Sequence, residues 1–266
     1  MSVKKVLVIR FRRIGDAVLS VVICSSIRKS FPEAEIHYVL NDHIAPLFEN
    51  HPDIDKIITF SDEENNHFFK YLRKVRQLMK TERYDVIIDT RATIKTLWFS
   101  AFSLRTKYRI GTSKFYNHFF HNYRVRNHVN DDLDEVVRNL LLLQPLERER
   151  KLIMTTDFRL YVTEQETAEF KSYMEQKGIN FSRFIVVCTP FTRVARKAWD
   201  MAKMKEILYR IIQRYDAQLI FNYSREEKAA ALTLYEDMGK DEHIFIDIEA
   251  DSLRKLVSIK ICSSFP

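Results

Sequence analysis

The sequence predicts an α/β protein built as two successive units, and three observations carry that prediction. Short, β-branched apolar runs alternate with longer segments of helical period, the pattern of parallel strands covered by helices on both faces. The alternation lapses near residues 145–160, where Pro145 and the charged stretch "ERERK" interrupt it, and then restarts. The 266 residues are 46% apolar, enough for two cores of ordinary size. The boundary is placed after residue 158, giving units 1–158 and 159–266.

In the first unit, Val3–Arg10 reads as a strand. A helix over Asp16–Ser30 aligns Leu19, Ile23 and Ile27 and stops near Phe31-Pro32, because a residue before proline is pushed out of the α region. Ile36–Leu40 and Lys56–Phe60 are the next strands. Asn66–Lys80 is a helix with Phe68, Leu72, Val75 and Met79 on one face. Tyr84–Asp89 is apolar without alternation, as expected of a strand buried on both faces. A helix follows around Ala92–Ser103, then a short extended Tyr108–Gly111. Asp131–Leu143 is amphipathic, with Leu133, Val136, Val137, Leu140 and Leu141 as its apolar stripe and Pro145 as its stop.

In the second unit, Glu164–Lys177 is a helix that ends at Gly178. Strands at Phe184–Thr189, Gln218–Asn222 and Ile244–Ile248 alternate with helices at Met201–Tyr215 and Arg225–Met238. In the first of these helices, Met204, Leu208, Ile211 and Tyr215 align. "DSLRKLVSIK" begins a further helix before "ICSSFP". Three strands are few for a doubly wound sheet, so this unit reads as incomplete.

Composition narrows the function. A net charge of +7 favours an anionic partner: a phosphorylated metabolite, an acidic lipid surface or a polynucleotide. Cys24, Cys188 and Cys262 are odd in number and lack zinc spacing, which suits reduced thiols in a cytoplasmic protein. His37, His43 and His51 also lack partners at metal spacing and are expected in ordinary polar contacts. The first apolar run is too short for a signal peptide, and no stretch approaches the ~18 residues of a membrane span. The chain therefore reads as soluble, or attached at most to a membrane surface. Gly15, Gly111, Gly178 and Gly239 lie too far apart for GxGxxG, and neither a Walker A loop nor GxSxG occurs. This argues against an ordinary NAD-linked dehydrogenase, a P-loop phosphotransferase and an α/β-hydrolase.

Ligands of open α/β sheets gather at the carboxyl ends of strands, and three such places carry suggestive residues. Gly15-Asp16 follows the first strand. Asp16 reads as a helix N-cap worth ~1 kcal/mol, as a reacting carboxylate, or as both, with Gly15 permitting the turn. Asp89 and Thr90 follow the fourth strand and read as caps. "TPFTRVARKAW" follows Phe184–Thr189. It gathers Thr189, Arg193, Arg196 and Lys197, which suit a diphosphate; the alternative is a polar loop with Trp199 anchored in the core. Between Thr90 and Asn130 there is no Asp or Glu, while Arg91, Lys95, Arg105, Lys107, Arg109, Lys114, Arg124 and Arg126 stand among aromatic residues. That composition suits an anion, a sugar face or a lipid interface, and single-stranded nucleic acid also fits it.

"VLVIRFRRIGDAVLSVVICSSIRKSFPEAEIHYVL" resembles the opening of glycosyltransferase family 9, the heptosyltransferases of lipopolysaccharide core assembly. It shows that family's order of strand, Gly-Asp, apolar helix, FP-x-A-x-I and second strand. "RKAWDMAKMKEIL" is similar to the family's Lys-x-Trp segment, and "DSLRKLVSI" to its "SLREL" helix. The collinear order extends the resemblance over the chain.

The resemblance implies a GT-B fold of two Rossmann-like, doubly wound domains, the second incomplete here. The first would bind the acceptor, a phosphorylated Kdo-lipid A or inner core. The second would bind a nucleotide sugar, typically ADP-heptose, as substrate, with no cofactor. Asp16 would be the general base and Lys197 would contact the donor phosphates, with Thr189 and Arg196 beside it. Arg13, Gly15, Arg91, Lys95 and Arg109 would serve the acceptor. An inverting transfer needs a carboxylate at the acceptor hydroxyl and positive charge where the diphosphate leaves, and Lys197 supplies that charge without a metal. The family's Asp-x-Gly-Pro-x-His-x-Ala donor segment does not occur. The chain is therefore expected to be a truncated member, and the alternative is a non-catalytic one that binds an anionic glycolipid or partner without transfer. The expected location is cytoplasmic, compatible with peripheral contact at the inner membrane face. Nucleic acid is the weaker alternative partner, and the oligomeric state stays open.

Overall fold

The computed structural model describes residues 3–126, 132–192, 195–248 and 252–262. The chain divides into two compact units, Met1–Tyr161 and Val162–Pro266.

The first unit runs β1 (Lys5–Ile9), α1 (Ile14–Ser30), β2 (Glu35–Asn41), β3 (Lys56–Phe60), α2 (Asp62–Asn66), α3 (Phe68–Glu82), β4 (Val86–Asp89), α4 (Leu97–Ala101), β5 (Tyr108–Thr112), β6 (Tyr123–Val125) and α5 (Glu135–Leu141). Its described strands form one parallel sheet in the order β3-β2-β1-β4-β5-β6. This is the Rossmann order, and its winding reverses between β1 and β4.

Alternation along β1 splits the core. Leu7 and Ile9 join Val39, Phe60, Ile87, Tyr71, Val75, Met79 and Phe99 beneath α3 and α4. Val6, Val8, Ile36 and Tyr38 are buried as well. On that face α1 closes the sheet: the Tyr38 hydroxyl donates to the Ala17 carbonyl at 2.9 Å and pairs with the Ser20 hydroxyl at 2.7 Å. Helix α1 is buried on most of its circumference, so its serines need partners. Ser25 donates to Asp53 at 2.6 Å, while Ser30 and Ser26 accept the N–H groups of Ile153 and Thr155 at 2.8 and 3.0 Å.

Several expectations shift. The expected Ala92–Ser103 helix shortens to α4, because the Asp89 carboxylate and the Thr93 and Thr96 hydroxyls capture the preceding N–H groups. The expected Asp131–Leu143 helix shortens to α5, because Asp134 caps it by accepting the Val137 N–H at 2.8 Å; Asp131 lies outside the described residues. Strand β6 is not foreshadowed, being a three-residue edge with no apolar run. Neither is α2, which is fixed by a capping box of Ser61 and Glu64 rather than by periodicity.

The second unit runs α6 (Glu164–Gln176), β7 (Ile185–Cys188), α7 (Met201–Tyr215), β8 (Gln218–Phe221), α8 (Lys228–Asp237), β9 (Ile244–Phe245) and α9 (Leu253–Cys262). The described strands are parallel in the order β7-β8-β9. Leu208, Ile212, Leu234 and Met238 pack on one face with Leu219 and Phe221. Phe170, Met174 and Leu256 pack on the other with Ile220. Helices therefore cover both faces. Arg254 Nη2 meets Glu166 Oε2 at 2.5 Å and ties α9 to α6. The expected strand at Ile244–Ile248 shortens to two residues. The expected helix from Arg225 opens as a 3-10 turn, Arg225–Glu227, boxed by Ser224 and Glu227.

Cys24 and Cys188 are free thiols. Burial pushes the first up strongly and the second to about 11, so both are protonated and unreactive at neutral pH.

Hydrogen bonds from Lys5 at 2.5 Å and Lys56 at 2.7 Å hold the Glu82 carboxyl down at about 2. A folded value below the unfolded one stabilises the fold above pH ~4.5, and that stabilisation is lost as pH falls through the folded value. After allowance for solvent screening it amounts to about 1–2 kcal/mol. Glu82→Gln is expected to flatten the acid limb of stability between pH ~5 and ~2 in urea melts taken across pH.

Candidate functional site

At the winding reversal, the carboxyl ends of β1, β4 and β5 open into a cavity of about 290 Å³. Arg10 reaches it from the end of β1 and Asp16 from the first turn of α1. Thr90 and Arg91 follow β4, Thr112 and Lys114 end and follow β5, and Val125 and Arg126 end and follow β6. Glu135, Arg138, Asn139 and Leu142 close it from α5. Among the described lining residues, Arg10, Arg91, Lys114, Arg126 and Arg138 face only two carboxylates, Asp16 and Glu135. Such a cleft concentrates anions.

Asp16 is not the N-cap of its helix. Helix α1 begins at Ile14, and its cap position, Arg13, makes no side-chain capping bond. Asp16 therefore stands in the first turn, where a carboxylate complements the helix dipole. Gly15 lies in that turn too. A Cβ there would meet nothing within 4 Å, and its φ is not left-handed, so neither space nor the turn demands glycine.

The buried Arg10 guanidinium organises the site. Its Nη2 lies 2.6 Å from Asp16 Oδ2 and 3.6 Å from Glu135 Oε1, and its Nη1 donates to the Thr90 hydroxyl at 3.3 Å. Glu135 in turn accepts Arg138 Nη2 at 2.7 Å. Charges thus alternate through Arg138, Glu135, Arg10 and Asp16. The Asn139 amide donates to the Leu19 carbonyl at 3.2 Å and holds α5 to α1. Asp16 keeps 34% of its side chain exposed, so its carboxylate is both anchored and accessible.

A second cavity of about 240 Å³ shares Arg10 and Arg91 and adds Phe11, Arg12, Asn41, Asn65, Thr93, Lys95 and Thr96. Lys95 belongs here rather than beside Asp16. Its ammonium donates to the Asn65 backbone and side-chain oxygens, each at 2.7 Å, and lies 4.7 Å from the Tyr71 ring centroid. Burial lowers its pKa, with Arg12 acting in the same direction.

Three of the residues expected to serve the acceptor, Gly15, Arg109 and Arg13, line neither cavity. Arg109 is buried, and its guanidinium donates to the carbonyls of Phe120, Leu104 and Thr106 at 2.8, 2.7 and 2.7 Å; it holds the 104–120 segment together. Arg13 is exposed at the start of α1. Arg91 lines both cavities.

Asp89 caps as expected: its Oδ1 accepts the N–H groups of Arg91 and Ala92 at 3.1 and 2.7 Å. Burial raises its pKa to about 6 against those hydrogen bonds. Sequence reasoning passed over Arg10, Glu135 and Arg138. The signals were a lone arginine closing an apolar strand, and an acid-base pair three residues apart on the polar side of an amphipathic helix.

In the second unit, Thr189 directly follows β7. Arg196 and Lys197 lie in the 3-10 turn Ala195–Lys197, and all three are exposed. They share the connection between β7 and α7, at the carboxyl end of β7. Arg193 lies outside the described residues. Trp199 is 50% exposed, so it does not anchor the loop in a core; Asp200 instead caps α7 by accepting the Lys203 N–H at 3.0 Å.

One described cluster, Glu35, His37 and Glu82, has metal-ligand spacing. The Lys5 ammonium already occupies the centre of its charge, 3.0 Å from Glu35 and 2.5 Å from Glu82. His37 is also saturated, by Tyr84 at 2.7 Å and Glu35 at 2.6 Å.

The model of glycosyltransferase family 9 (heptosyltransferase) matches residues 72–241, more than half of the chain. Lipopolysaccharide heptosyltransferase 3 of Escherichia coli K12 is 26% identical over 210 residues, covering 75% of this chain and 58% of that protein. The chain thus spans little more than half the length of this curated relative. A glycosyl transferase family 9 structure from Veillonella parvula superposes with a TM-score of 0.78 at 15% identity, over 91% of this chain and 69% of that one. The E. coli heptosyltransferase WaaC, solved with ADP-2-deoxy-2-fluoro heptose, superposes with a TM-score of 0.68 at 14% identity, over 96% and 79%. These two likenesses show the fold, the GT-B type expected from the sequence.

Proposed function

The chain belongs to glycosyltransferase family 9, and from that premise we propose that it transfers heptose, or a related sugar, from a nucleotide-activated donor to a lipopolysaccharide-core or lipid A-type acceptor. The observation that carries the reading is a carboxylate about one-third exposed, Asp16, anchored by a buried arginine in a cationic cavity at the sheet's winding reversal. An acceptor that presents a hydroxyl beside phosphate or carboxylate groups matches both halves of that site.

The step is an inverting displacement. The acceptor oxygen attacks the anomeric carbon while Asp16 removes the hydroxyl proton. The bond to the donor diphosphate breaks, and its electron pair leaves on the phosphate oxygen. Arg10 holds the carboxylate in place, and Arg91, Lys114 and Arg138 face the acceptor's anionic groups. On the second unit, Thr189, Arg196 and Lys197 supply hydroxyl and cationic groups for the diphosphate, and no metal is required for that neutralisation. ADP-heptose is the favoured donor, consistent with the bound analogue in WaaC.

Titrating ADP-heptose and a Kdo-lipid A acceptor separately by calorimetry, then assaying transfer, tests this. Binding of both with transfer supports the enzyme. Binding of acceptor alone turns the reading to a non-catalytic glycolipid-binding member. Silence with both ends it.

The acceptor class agrees with the surface around the cavity. In a parallel sheet, every loop that follows a strand reaches the same rim. The loop after β3 leads into Phe68 and Phe69, the one after β4 carries Ile94, and the one after β5 carries Phe115, Tyr116 and Phe119. All are exposed, Phe115 at 95%, Phe69 at 84% and Phe119 at 76%. Lys114 bonds the Arg91 carbonyl at 2.7 Å and Tyr116 the Ala92 carbonyl at 3.0 Å, so these loops adjoin. Exposed aromatics among cations suit the interface of an anionic bilayer. No helix among the described residues is long and apolar enough to cross a membrane. The transfer reading, with its lipid-linked acceptor, favours a cytoplasmic location with peripheral contact at the membrane face. Phe115→Ser with Phe119→Ser is expected to cut co-flotation with phosphatidylglycerol vesicles by about tenfold, and undiminished flotation would remove this part of the reading.

A further inference from the structure

Behind the cationic cavity lies a buried pair that the transfer chemistry does not use. Asp89 and His121 are both buried, and Asp89 Oδ2 lies 3.8 Å from His121 Nε2. At that separation the two are close but not hydrogen-bonded, and neither atom has a hydrogen-bond partner among the described residues. Two unsatisfied buried polar atoms facing each other call for a physical account.

The network around them fixes where the ring proton sits. The Asn117 side-chain oxygen accepts the Lys114 N–H at 3.1 Å. Its amide nitrogen donates to the Thr112 carbonyl at 2.8 Å and meets His121 Nδ1 at 3.2 Å. A carbonyl can only accept, so the amide is oriented with its NH₂ toward His121. His121 Nδ1 is then an acceptor, and the neutral ring carries its proton on Nε2, directed at Asp89. Burial, reinforced by Arg109, lowers the His121 pKa to about 4 and keeps the ring neutral. Gly111 makes room for this: a Cβ there would lie 2.5 Å from two ring atoms.

Asp89 spends its other oxygen on the Arg91 and Ala92 N–H groups. Ala92 has a φ of 47°, a left-handed conformation that L-residues adopt at a cost. The carbonyls of these two residues take the Lys114 ammonium and the Tyr116 hydroxyl. The turn carrying Arg91 is therefore held from both sides, by Asp89 and by the segment that also bears Asn117 and His121.

We propose that Asn117, His121 and Asp89 form a buried relay of positioning residues that presents Arg91 and Lys114 to the anionic ligand of the cavity. The relay rests on the reading of that cavity as an anion site. The His121 N–H, 3.8 Å away, steadies the Asp89 carboxylate by charge–dipole attraction across the buried gap; Asp89 holds the Arg91–Ala92 turn, and Lys114 is tied to that turn from the far side. None of the three relay residues touches substrate.

Three measurements on the whole chain test this. Ring ¹⁵N NMR at neutral pH should report His121 as the neutral Nε2–H tautomer; an Nδ1–H tautomer or a protonated ring overturns the relay. Amide hydrogen exchange at Ala92 should quicken about tenfold or more in His121→Phe, which keeps a ring but removes both nitrogens, and should recover in His121→Gln, which restores an N–H. Unchanged exchange in the Phe variant overturns the proposal. Gly111→Ala, which displaces the ring without altering any polar group, should act as His121→Phe does wherever it folds. Titration with inorganic phosphate should show about tenfold weaker binding in His121→Phe than in the parent, recovered in the Gln variant. If the parent binds no phosphate, the anion-site reading fails, and tautomer and exchange still decide the relay.

Discussion

Asp16→Asn is expected to lower sugar transfer by about 10²- to 10⁴-fold, the usual contribution of a positioned general base. The amide keeps the shape of the carboxylate but cannot take a proton from the acceptor hydroxyl. Stability should change little. Asp16 is about one-third exposed, and an ion pair so placed contributes on the order of 1 kcal/mol or less. Helix α1 should also persist, because its buried face and the ties of its Ser26 and Ser30 to Thr155 and Ile153 do not involve residue 16. The informative pattern is a collapse in kcat with KM for acceptor and donor nearly unchanged, measured beside a thermal melt. Turnover within about threefold of the parent would show that the proton leaves by another route.

The legible part of this molecule was the part written in periodicity. Alternating apolar runs found β1 to β5 and β7 to β9, because strands buried on both faces need continuous Val, Ile and Leu. Long helices such as α3 and α7 were found because each shows a helical stripe. Elements held by side-chain hydrogen bonds were not legible. Asp89 and the Thr93–Thr96 hydroxyls unwind the start of the expected fourth helix, and Ser61 with Glu64 winds a short one that no stripe announces. Asp16 was visible from its place after the first strand, yet its capping role was misjudged because the helix starts two residues earlier, at Ile14.

The candidate site was legible in charge but not in geometry. The acid-free stretch between Thr90 and Asn130 does supply Arg91, Lys114 and Arg126 to the cavity. Composition could not say which cations face ligand and which hold the fold. Arg109 and Lys95 lie in the same stretch, and the structure directs both onto carbonyl oxygens. A cation on a buried strand ends up serving the backbone around it, because burial leaves its donors no water to bind. Position on a loop does not decide it either: Lys95 and Arg91 share the loop after β4, yet Lys95 is held by the Asn65 oxygens while Arg91 faces both cavities. Arg10 is the informative exception. It is buried, yet it lies at a strand's carboxyl end and meets Asp16, Glu135 and Thr90 rather than main-chain carbonyls.

Phe60→Ala is expected to cost the first unit about 3–5 kcal/mol, the range for truncating a fully buried aromatic. The ring lies at the end of β3, 5.2 Å from Phe11, 5.4 Å from Tyr71 and 6.0 Å from Phe99 between centroids, with the Lys74 ammonium 4.6 Å from its own. It therefore joins the tail of β1 to α3 and α4, and close packing leaves little room for those elements to collapse into the space. Phe11 follows Arg10 directly and lines the second cavity, where the Lys95 ammonium lies 5.7 Å from its ring centroid. Loosening Phe11 should free Arg10 and weaken the hold on Asp16, so transfer should fall together with stability. That coupled loss is the opposite of the pattern expected for Asp16→Asn. Hydrogen exchange locates it: protection should drop across β3 and α3 while β8 and α7, in a separate core, keep theirs. If Phe60→Ala left the first unit's protection intact, the aromatic cluster would not be what supports the site, and the backing of Arg10 would have to come from α1 and α5 alone.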